Sequence, residues 1–365
     1  MDSKQAPDYI ILLIVITLLA VGLIMILSAS SIRALTLYGD SFHLFKAQLM
    51  WSLVGIVAMI FFMNIDYHIY QKYSKIILII TITLLILVLI PGIGIVAGGS
   101  RRWLGIQSFR IQPSELAKLG LVIYLAQYFS KKSKKMNYFF QGVLPPLIIL
   151  GIIFLLILLE PDLGTAVTIA GTFFLMLFVS GAKYLHMFFL TLAGIPMIAY
   201  FIMSEDYRRE RLLSFLNPWA DPLDTGYHII QSLLALGSGG IFGVGLGQSK
   251  QKFLYLPEPG TDFIFAVLGE ELGVIGTLFI LALFFFFFWR GLKIASSVSD
   301  VFGSMLAIGI SSMVVIQALI NIGVVTSSMP ITGITLPFIS YGGTSLVIML
   351  SAVGILLNIS RYAED

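Results

Sequence analysis

Ten long runs of apolar residues divide this chain, and they constrain its fold more than any other feature. An α-helix needs roughly 20 mostly apolar residues to cross the hydrocarbon core of a bilayer, and most of the runs approach that length. The runs lie at about 9–30, 45–64, 74–96, 113–130, 142–159, 164–181, 184–203, 263–289, 301–326 and 341–359. The sequence therefore predicts an all-α polytopic membrane protein with about ten transmembrane helices.

The composition of the chain supports a single membrane domain. Of its 365 residues, 58% are hydrophobic and 11% are charged, whereas soluble domains are about 25% charged. We therefore expect residues 1–365 to form one polytopic domain. The first apolar run is too long for the core of a signal peptide, so we expect it to remain as helix 1, although "SAS" at 28–30 leaves cleavage open as an alternative.

The placement of Lys and Arg predicts the orientation in the membrane. If the N-terminus is cytoplasmic, the basic loops around 72–75, 131–135 and 290–293 all face the cytoplasm, as the positive-inside rule requires. An even helix count then puts both termini in the cytoplasm. The long segment 204–262, between helices 7 and 8, falls on the opposite, extracytoplasmic side.

Most acidic residues and two basic clusters are predicted to lie on that outer side. The clusters are at 101–110 and 208–211, where the positive-inside rule expects few positive charges. Basic clusters on this side favour an anionic ligand, and the alternative is interfacial anchoring by snorkelling side chains. Ionisable groups near membrane depth usually face a cavity, so we expect the polar chemistry at the outer face.

The segment from 98 to 120 contains the first candidate site. Pro113 can begin a helix, which places Glu115 in its first turn and Lys118 on the same face. The pattern is explained either by a helix cap with a surface ion pair or by the polar wall of a substrate groove. The candidate substrate-binding residues are Arg101, Arg102, Trp103, Gln112, Ser114, Glu115 and Lys118.

A second candidate is the motif "LEPDLGTA" at 159–166, between two apolar runs. Glu160 and Asp162 are separated by one residue, and their two carboxylates would suit a metal ion, an arginine or a sugar hydroxyl. A tight turn outside the membrane would explain Pro161, Asp162 and Gly164 equally well.

The long segment from 207 to 265 is the third candidate. Its prolines and glycines suggest re-entrant backbone, which survives at membrane depth only inside protein or facing water. A helix is expected from about 227 to 236. Asp262 directly precedes an apolar run, where it would either cap the helix or act as a base at the water–lipid boundary.

Several site classes are excluded or left unassigned. The absence of cysteine rules out disulfides, thiolate metal sites and cysteine nucleophiles. The histidines are scattered and no H-E-x-x-H motif is present, so we assign no metal-ligating residue. We expect no nucleic-acid partner.

At this point the sequence resembles the SEDS family (shape, elongation, division and sporulation) of bacterial membrane proteins. Five segments of this chain carry the resemblance, namely "RRWLGIQSFRIQPSELAKL", "EPDLGTA", "RLLSFLNPWADPLDTGYHIIQSL", "GLGQSKQKFLYLPEPGTDFIFAVLGEELG" and "MPITGITLPFISYGGTSL". The chain is more similar to the division and sporulation branch, FtsW and SpoVE, than to the rod-elongation branch, RodA. One departure is Gly260, where many members carry a histidine.

The resemblance implies a peptidoglycan glycosyltransferase of the bacterial cytoplasmic membrane. Such enzymes polymerise lipid II into glycan strands on the outer face, for division or sporulation septum synthesis. The implied partners are a class B penicillin-binding protein, which is a transpeptidase, and divisome or sporulation septum proteins. Two other functions stay open, a lipid II flippase and a non-catalytic scaffold for a transpeptidase.

The resemblance also assigns roles to the candidate residues. Asp262 matches the family's essential aspartate and is expected to be the general base. Arg101, Arg102, Lys118, Arg208 and Arg211 are candidates for the substrate phosphates. Glu115, Gln231 and Glu258 are candidates for sugar contacts or for fixing those cations. A divalent cation, Mg²⁺ or Mn²⁺, is expected only as a companion of the diphosphate.

Overall fold

The computed structural model of the protein describes residues 5–97, 100–106, 109–252 and 256–363. Within them the chain forms twelve α-helices, three short 3-10 or π-helical turns and three short strands. The helices are α1 (Tyr9–Tyr38), α2 (His43–Asn64), α3 (His68–Leu89), α4 (Pro113–Lys132), α5 (Leu144–Leu159), α6 (Leu163–Val179), α7 (Tyr184–Met203), α8 (Asp206–Leu216), α9 (Tyr227–Gly239), α10 (Ile264–Ser297), α11 (Val301–Val325) and α12 (Gly343–Ser360). The expected all-α architecture is confirmed.

Eight of the described helices are long and apolar enough to cross a membrane, the α5 span starting at Phe139 in a π-helical turn. Helix α6 is apolar but shorter, and α4 has Glu115 and Lys118 in its first two turns. The structure thus identifies eight spans by length and composition, and the number ten stays a prediction that needs α4 and α6 as further spans.

Local chemistry explains where several helices begin and end. Asp8 caps α1, because its carboxylate accepts from the amides of residues 10 and 11. Gly39 ends the same helix with a φ of 71°, which suits glycine. Helix α3 ends at Leu89, earlier than the run 74–96 predicts, because Ile90 precedes a proline and is extended.

The expected loop after α3 contains a small antiparallel sheet that the sequence reading did not predict. Its strands are β1 (Ile95–Ala97), β2 (Ser100–Ile106) and β3 (Phe109–Ile111), with β2 in the centre. Strand β3 leads directly to the start of α4 at Pro113. The sheet therefore carries the first basic cluster to the end of the bundle where α4 begins.

Helix α10 is interrupted at Gly273, which has a φ of 67°. In an unbroken helix the amides of 274–275 would donate to the carbonyls of 270–271. Here they donate to carbonyls of segment 240–245, at 2.9 and 3.2 Å, and amides of that segment donate to the carbonyls of 270–271, at 3.0 and 3.1 Å. Segment 240–245 is thus inserted into the break and satisfies its backbone groups.

The side chains next to this break form a buried polar cluster. Ser249 donates from its hydroxyl to Glu270 at 2.5 Å, and Ser28 on α1 donates to Glu271 at 2.6 Å. Lys252 pairs with Glu271 at 3.4 Å. These bonds attach the segment after α9 to both α1 and α10.

The bundle packs around α11 and α12, which are buried over most of their length. Helix α12 lies closely against α2, since a Cβ at Gly354 would come within 2.4 Å of the Met59 carbonyl oxygen. None of the described side chains of α7 is buried, so this helix lies at the periphery.

The two ends of the bundle differ in their polar groups. At one end, Asp8 before α1 pairs with Arg290 near the end of α10 at 2.5 Å. The other end collects the C-terminal part of α1, the start of α4, the α5–α6 turn, α8 and the start of α10. The candidate site residues that these elements carry therefore lie at this second end.

Candidate active site

The backbone around Asp262 is held by three consecutive hydrogen bonds. The carbonyl of Gly260 accepts from the Tyr341 amide at 2.8 Å. The carbonyl of Thr261 accepts from the Ser340 hydroxyl at 2.6 Å, and that of Asp262 accepts from the Asn321 side chain at 2.8 Å. The loop before α12 and helix α11 therefore fix the position of this aspartate.

The carboxylate of Asp262 is left available. Helix α10 begins at Ile264 with Phe263 at its N-cap and no side-chain cap bond, so the capping interpretation of Asp262 is wrong. No hydrogen bond from a described residue reaches its carboxylate oxygens. Burial, reinforced by the negative charge of Glu258, raises the pKa of Asp262 to about 6, while Arg211 and Arg102 oppose the rise. A carboxylate with this pKa is suited to accept a proton near neutral pH.

Arg102 and Arg211 bring positive charge to Asp262 from two different elements. Arg102 on β2 donates from Nε to the Glu160 carbonyl at 2.9 Å and also bonds the Pro161 carbonyl. Arg211 on α8 donates to the Ile331 carbonyl at 3.4 Å. Arg102 therefore packs against the α5–α6 turn through backbone carbonyls, and not through the carboxylates that the sequence analysis offered for an arginine.

The turn "LEPDLGTA" is also fixed by its own carboxylate. Asp162 caps α6 by accepting from the Thr165 amide at 3.0 Å, as expected for a tight turn. It also accepts from Gln112 at 3.1 Å, and Gln112 donates to Ser114 at 3.0 Å. These bonds join the start of α4 to the turn whose carbonyls bind Arg102.

Glu160 is a buried acid in the same turn. Its side chain is fully buried, and neither carboxyl oxygen has a hydrogen-bond partner in the described part of the chain. Burial and the neighbouring Asp162 raise its pKa to about 9, against the opposing charge of Arg102. Glu160 is therefore protonated at neutral pH and adds no negative charge to the site.

Glu115 and Lys118 form a buried ion pair instead of a surface one. Their charged atoms are 2.7 Å apart, and both side chains are almost completely buried. Lys118 also donates to Gln317 on α11 at 2.5 Å, and Ser345 on α12 donates to Glu115 at 2.9 Å. This geometry favours a role in joining three helices beneath the site over direct contact of Lys118 with phosphate.

Glu258 pairs with an arginine that the sequence analysis did not single out. Arg33 on α1 donates to Glu258 at 2.5 Å, and both side chains are partly exposed. Glu258 also accepts from the Thr261 hydroxyl at 3.3 Å.

The remaining candidates differ in what they contact. Arg208 is buried and uses three nitrogens within the protein, on the Tyr207 hydroxyl and on the carbonyls of Phe201 and Leu158. It therefore fixes α8 against α7 and α5. Arg101 donates to the Leu89 carbonyl at 3.1 Å. Trp103 on β2 and Gln231 on α9 are both half-buried.

Three polar residues of the apolar helices were missed by the sequence analysis. Gln317 and Asn321 lie one turn apart on α11 and hold the carbonyls of Thr335 and Ile334 at 3.0 and 2.7 Å. Ser345 bonds Glu115. The sequence did contain a signal for them, because two side-chain amides four residues apart within an apolar run indicate a helix face that contacts other polar groups.

An apolar cavity of about 480 Å³ opens beside the basic residues. It lies between α5, α7 and α8, and is lined by Leu155, Leu158, Leu159, Pro161, Phe201, Ser204, Glu205, Tyr207 and Arg208. Its apolar wall and its closeness to Arg102 and Arg211 would suit a lipid with an anionic headgroup.

The fold and this site define a polytopic membrane protein with acid–base and anion-binding groups at one end of its bundle. The chain belongs to the FtsW, RodA and SpoVE family of cell cycle proteins, whose family model matches residues 9–365. The resemblance to the SEDS family is thereby confirmed.

The most similar relatives described below support the division and sporulation branch. The chain is 51% identical to stage V sporulation protein E of Bacillus subtilis (strain 168), over 99% of each chain. It is 46% identical to a probable peptidoglycan glycosyltransferase FtsW of Geobacter metallireducens, over 97% of this chain and 94% of that protein. A solved structure described as "Structural coordination of polymerization and crosslinking by a peptidoglycan synthase complex" matches with a TM-score of 0.82 at 26% identity, over 98% of this chain and 99% of that one.

Proposed function

We propose that the protein is a peptidoglycan glycosyltransferase that polymerises lipid II for division or sporulation septum synthesis. The observation that carries this proposal is the available carboxylate of Asp262, whose pKa is raised to about 6, beside Arg102 and Arg211. The names of the relatives, FtsW and SpoVE, support the same activity.

The reaction needs a base, a stabilised leaving group and a place for the lipid. Asp262 takes the proton from the acceptor hydroxyl, and that oxygen attacks the anomeric carbon of the donor sugar. The new C–O bond forms as the bond to the diphosphate breaks, and the diphosphate leaves with the electron pair. Arg102 and Arg211 stabilise its growing charge, and the donor's lipid lies in the cavity beside α7. A single displacement converts the α-linked donor into a β-linked product.

A divalent cation fits this arrangement as a companion of the diphosphate. Mg²⁺ and Mn²⁺ prefer oxygen ligands, and Mg²⁺ is commonly held by one or two carboxylates together with substrate phosphates. Asp162 already accepts hydrogen bonds on both carboxylate oxygens, from Thr165 and Gln112, so the cation would be held mainly by the phosphates. Among the described residues no three acidic or histidine side chains form a metal site, so the substrate would supply the remaining ligands.

The site is proposed to face away from the cytoplasm, with both termini inside. The basic loops of the opposite end support this orientation. A reporter fused after Lys135 should then be cytoplasmic, and one inserted near Asp224 external. The opposite pattern would refute the orientation.

We further propose a class B penicillin-binding protein and divisome or septum proteins as partners. The support is the structural similarity to a synthase complex that coordinates polymerisation with crosslinking. Purified protein with its transpeptidase should form a stable complex and polymerise faster than alone.

Replacement of Asp262 by asparagine tests the proposed activity. Asp262→Asn should insert and elute as the native protein does, yet polymerise labelled lipid II two to four orders of magnitude more slowly. Asp40→Asn, an exposed carboxylate between α1 and α2, is the control and should retain activity. A folded Asp262→Asn protein with near-native turnover would refute the assignment and favour a scaffold or flippase.

A further inference from the structure

A polymerase of lipid-linked sugars must hold two diphosphates at once. This requirement rests on the proposed function, in which donor and acceptor each carry a lipid through a diphosphate. Two such anions repel each other, and the reacting sugars must meet at Asp262 between them. One basic cluster, Arg102 with Arg211, therefore accounts for only one of the two headgroups.

Arg33 supplies positive charge from a different element of the bundle. It lies near the C-terminal end of α1, whereas Arg102 is on β2 and Arg211 is on α8. Its side chain is 32% exposed. Among the described residues its guanidinium donates one hydrogen bond, to Glu258, and a guanidinium has further N–H donors for a phosphate.

Glu258 connects this arginine to the proposed base. Its carboxylate bonds Arg33, and its negative charge is close enough to help raise the pKa of Asp262. The backbone of Glu258 has a φ of 51°, in the left-handed region that residues other than glycine rarely adopt. It stands between Pro257 and Pro259, and the residue before a proline disfavours helical backbone. Strained backbone at a ligand-facing position is typical of a functional site.

Apolar surface for a second lipid lies next to Arg33. Leu37, one turn after Arg33 on the same face of α1, is more than half exposed. Arg102 and Arg211 likewise adjoin the cavity beside α7, since Arg102 binds the carbonyl of its lining residue Pro161 and Arg211 lies over the ring of Tyr207. Each group of positive charge thus has its own apolar surface.

We propose that Arg33, oriented by Glu258, binds the diphosphate of the second lipid-linked substrate molecule. The ion pair Lys46–Asp40 provides a comparison, since it is also on the outer end of α1 and α2 but more exposed. Neither charge of that pair is among those that shift the pKa of Asp262, so the pair should contribute nothing to substrate binding.

The number of bound substrate molecules tests the proposal directly. Asp262→Asn protein in nanodiscs should bind two molecules of lipid II, counted by native mass spectrometry. Addition of Arg33→Gln should lower the affinity for one of the two lipid II molecules at least tenfold. Lys46→Gln in the same Asp262→Asn background should leave the affinity for both molecules unchanged. Two molecules bound with unchanged affinity by the Arg33→Gln protein, or one molecule bound by the parent, would overturn the proposal.

Turnover separates this proposal from the proposed function. In protein with native Asp262, Arg33→Gln should raise the KM for lipid II about tenfold more than it lowers kcat, and Arg33→Lys should recover part of the loss. Active protein whose KM is unaffected by Arg33→Gln would overturn the second site alone. Native protein that forms no glycan would refute the glycosyltransferase function, while the binding count would still decide whether Arg33 holds a second molecule.

Discussion

Glu258→Gln should move the acid limb of the pH–rate profile to lower pH. Asp262 acts as a base only when ionised, so activity is lost as the pH falls through its pKa of about 6. At that pKa the carboxylate is about 90% ionised at pH 7 and about 10% ionised at pH 5. Removal of the neighbouring negative charge should lower the pKa on the order of one unit. At pH 5 the variant would then be about half ionised, about five times the native fraction.

The assay is kcat/KM for lipid II polymerisation between pH 4.5 and about 8, because this ratio reports the free enzyme. Each profile is normalised to its own plateau, which removes the effect of the Arg33 ion pair on binding. Asp40→Asn is the control, since this carboxylate pairs with Lys46 away from the site. A native acid limb near pH 4, or a limb unmoved by Glu258→Gln, would refute the pKa argument.

Two further predictions concern stability. Lys118→Met should lower the free energy of unfolding by about 3–5 kcal/mol, because it leaves the buried Glu115 carboxylate unpaired. The double variant that also carries Glu115→Gln should recover much of this lost stability. Equal losses of stability in the thermal unfolding of the single and double variants would contradict this. Gly273→Ala should lower the free energy of unfolding by about 1–3 kcal/mol, because an alanine would have to adopt a positive φ. Its Cβ would also lie 2.4 Å from a backbone nitrogen, which adds a steric clash. Gly151→Ala, where a Cβ meets nothing within 4 Å, is the control, and equal melting temperatures for the two alanine variants would count against the break as described.

The fold was largely predictable because membrane helices are encoded in long apolar runs. Each of the ten runs corresponds to a helix, and α9 was expected within a few residues of its bounds. The sheet β1–β3 was not predicted, because three short strands in a polar loop leave no long periodic pattern. The break in α10 was missed as well, since the run that contains Gly273 reads as continuous helix despite Glu270 and Glu271 just before it.

The candidate site was predictable in its residues more than in its contacts. The charges of Arg102 and Arg211 are close enough to Asp262 to lower its pKa, as expected for residues of one site. Their roles in the reaction stay predictions. Arg33 could not be found from sequence, since its partner Glu258 is 225 positions away. The buried state of Lys118 was also hidden, because a Glu–Lys spacing of three is typical of exposed helices too.

The break in α10 separates the part of this helix that is long enough to cross a membrane from the part that follows Asp262. An unbroken helix of 34 residues would be about 51 Å long, well beyond the roughly 30 Å of hydrocarbon that it must cross. The part after Gly273 is about 36 Å long and spans the bilayer on its own. The part before the break is free to take another direction and keep Asp262 at the depth of lipid headgroups. A lipid-linked sugar can then reach the base while its tail stays in the bilayer.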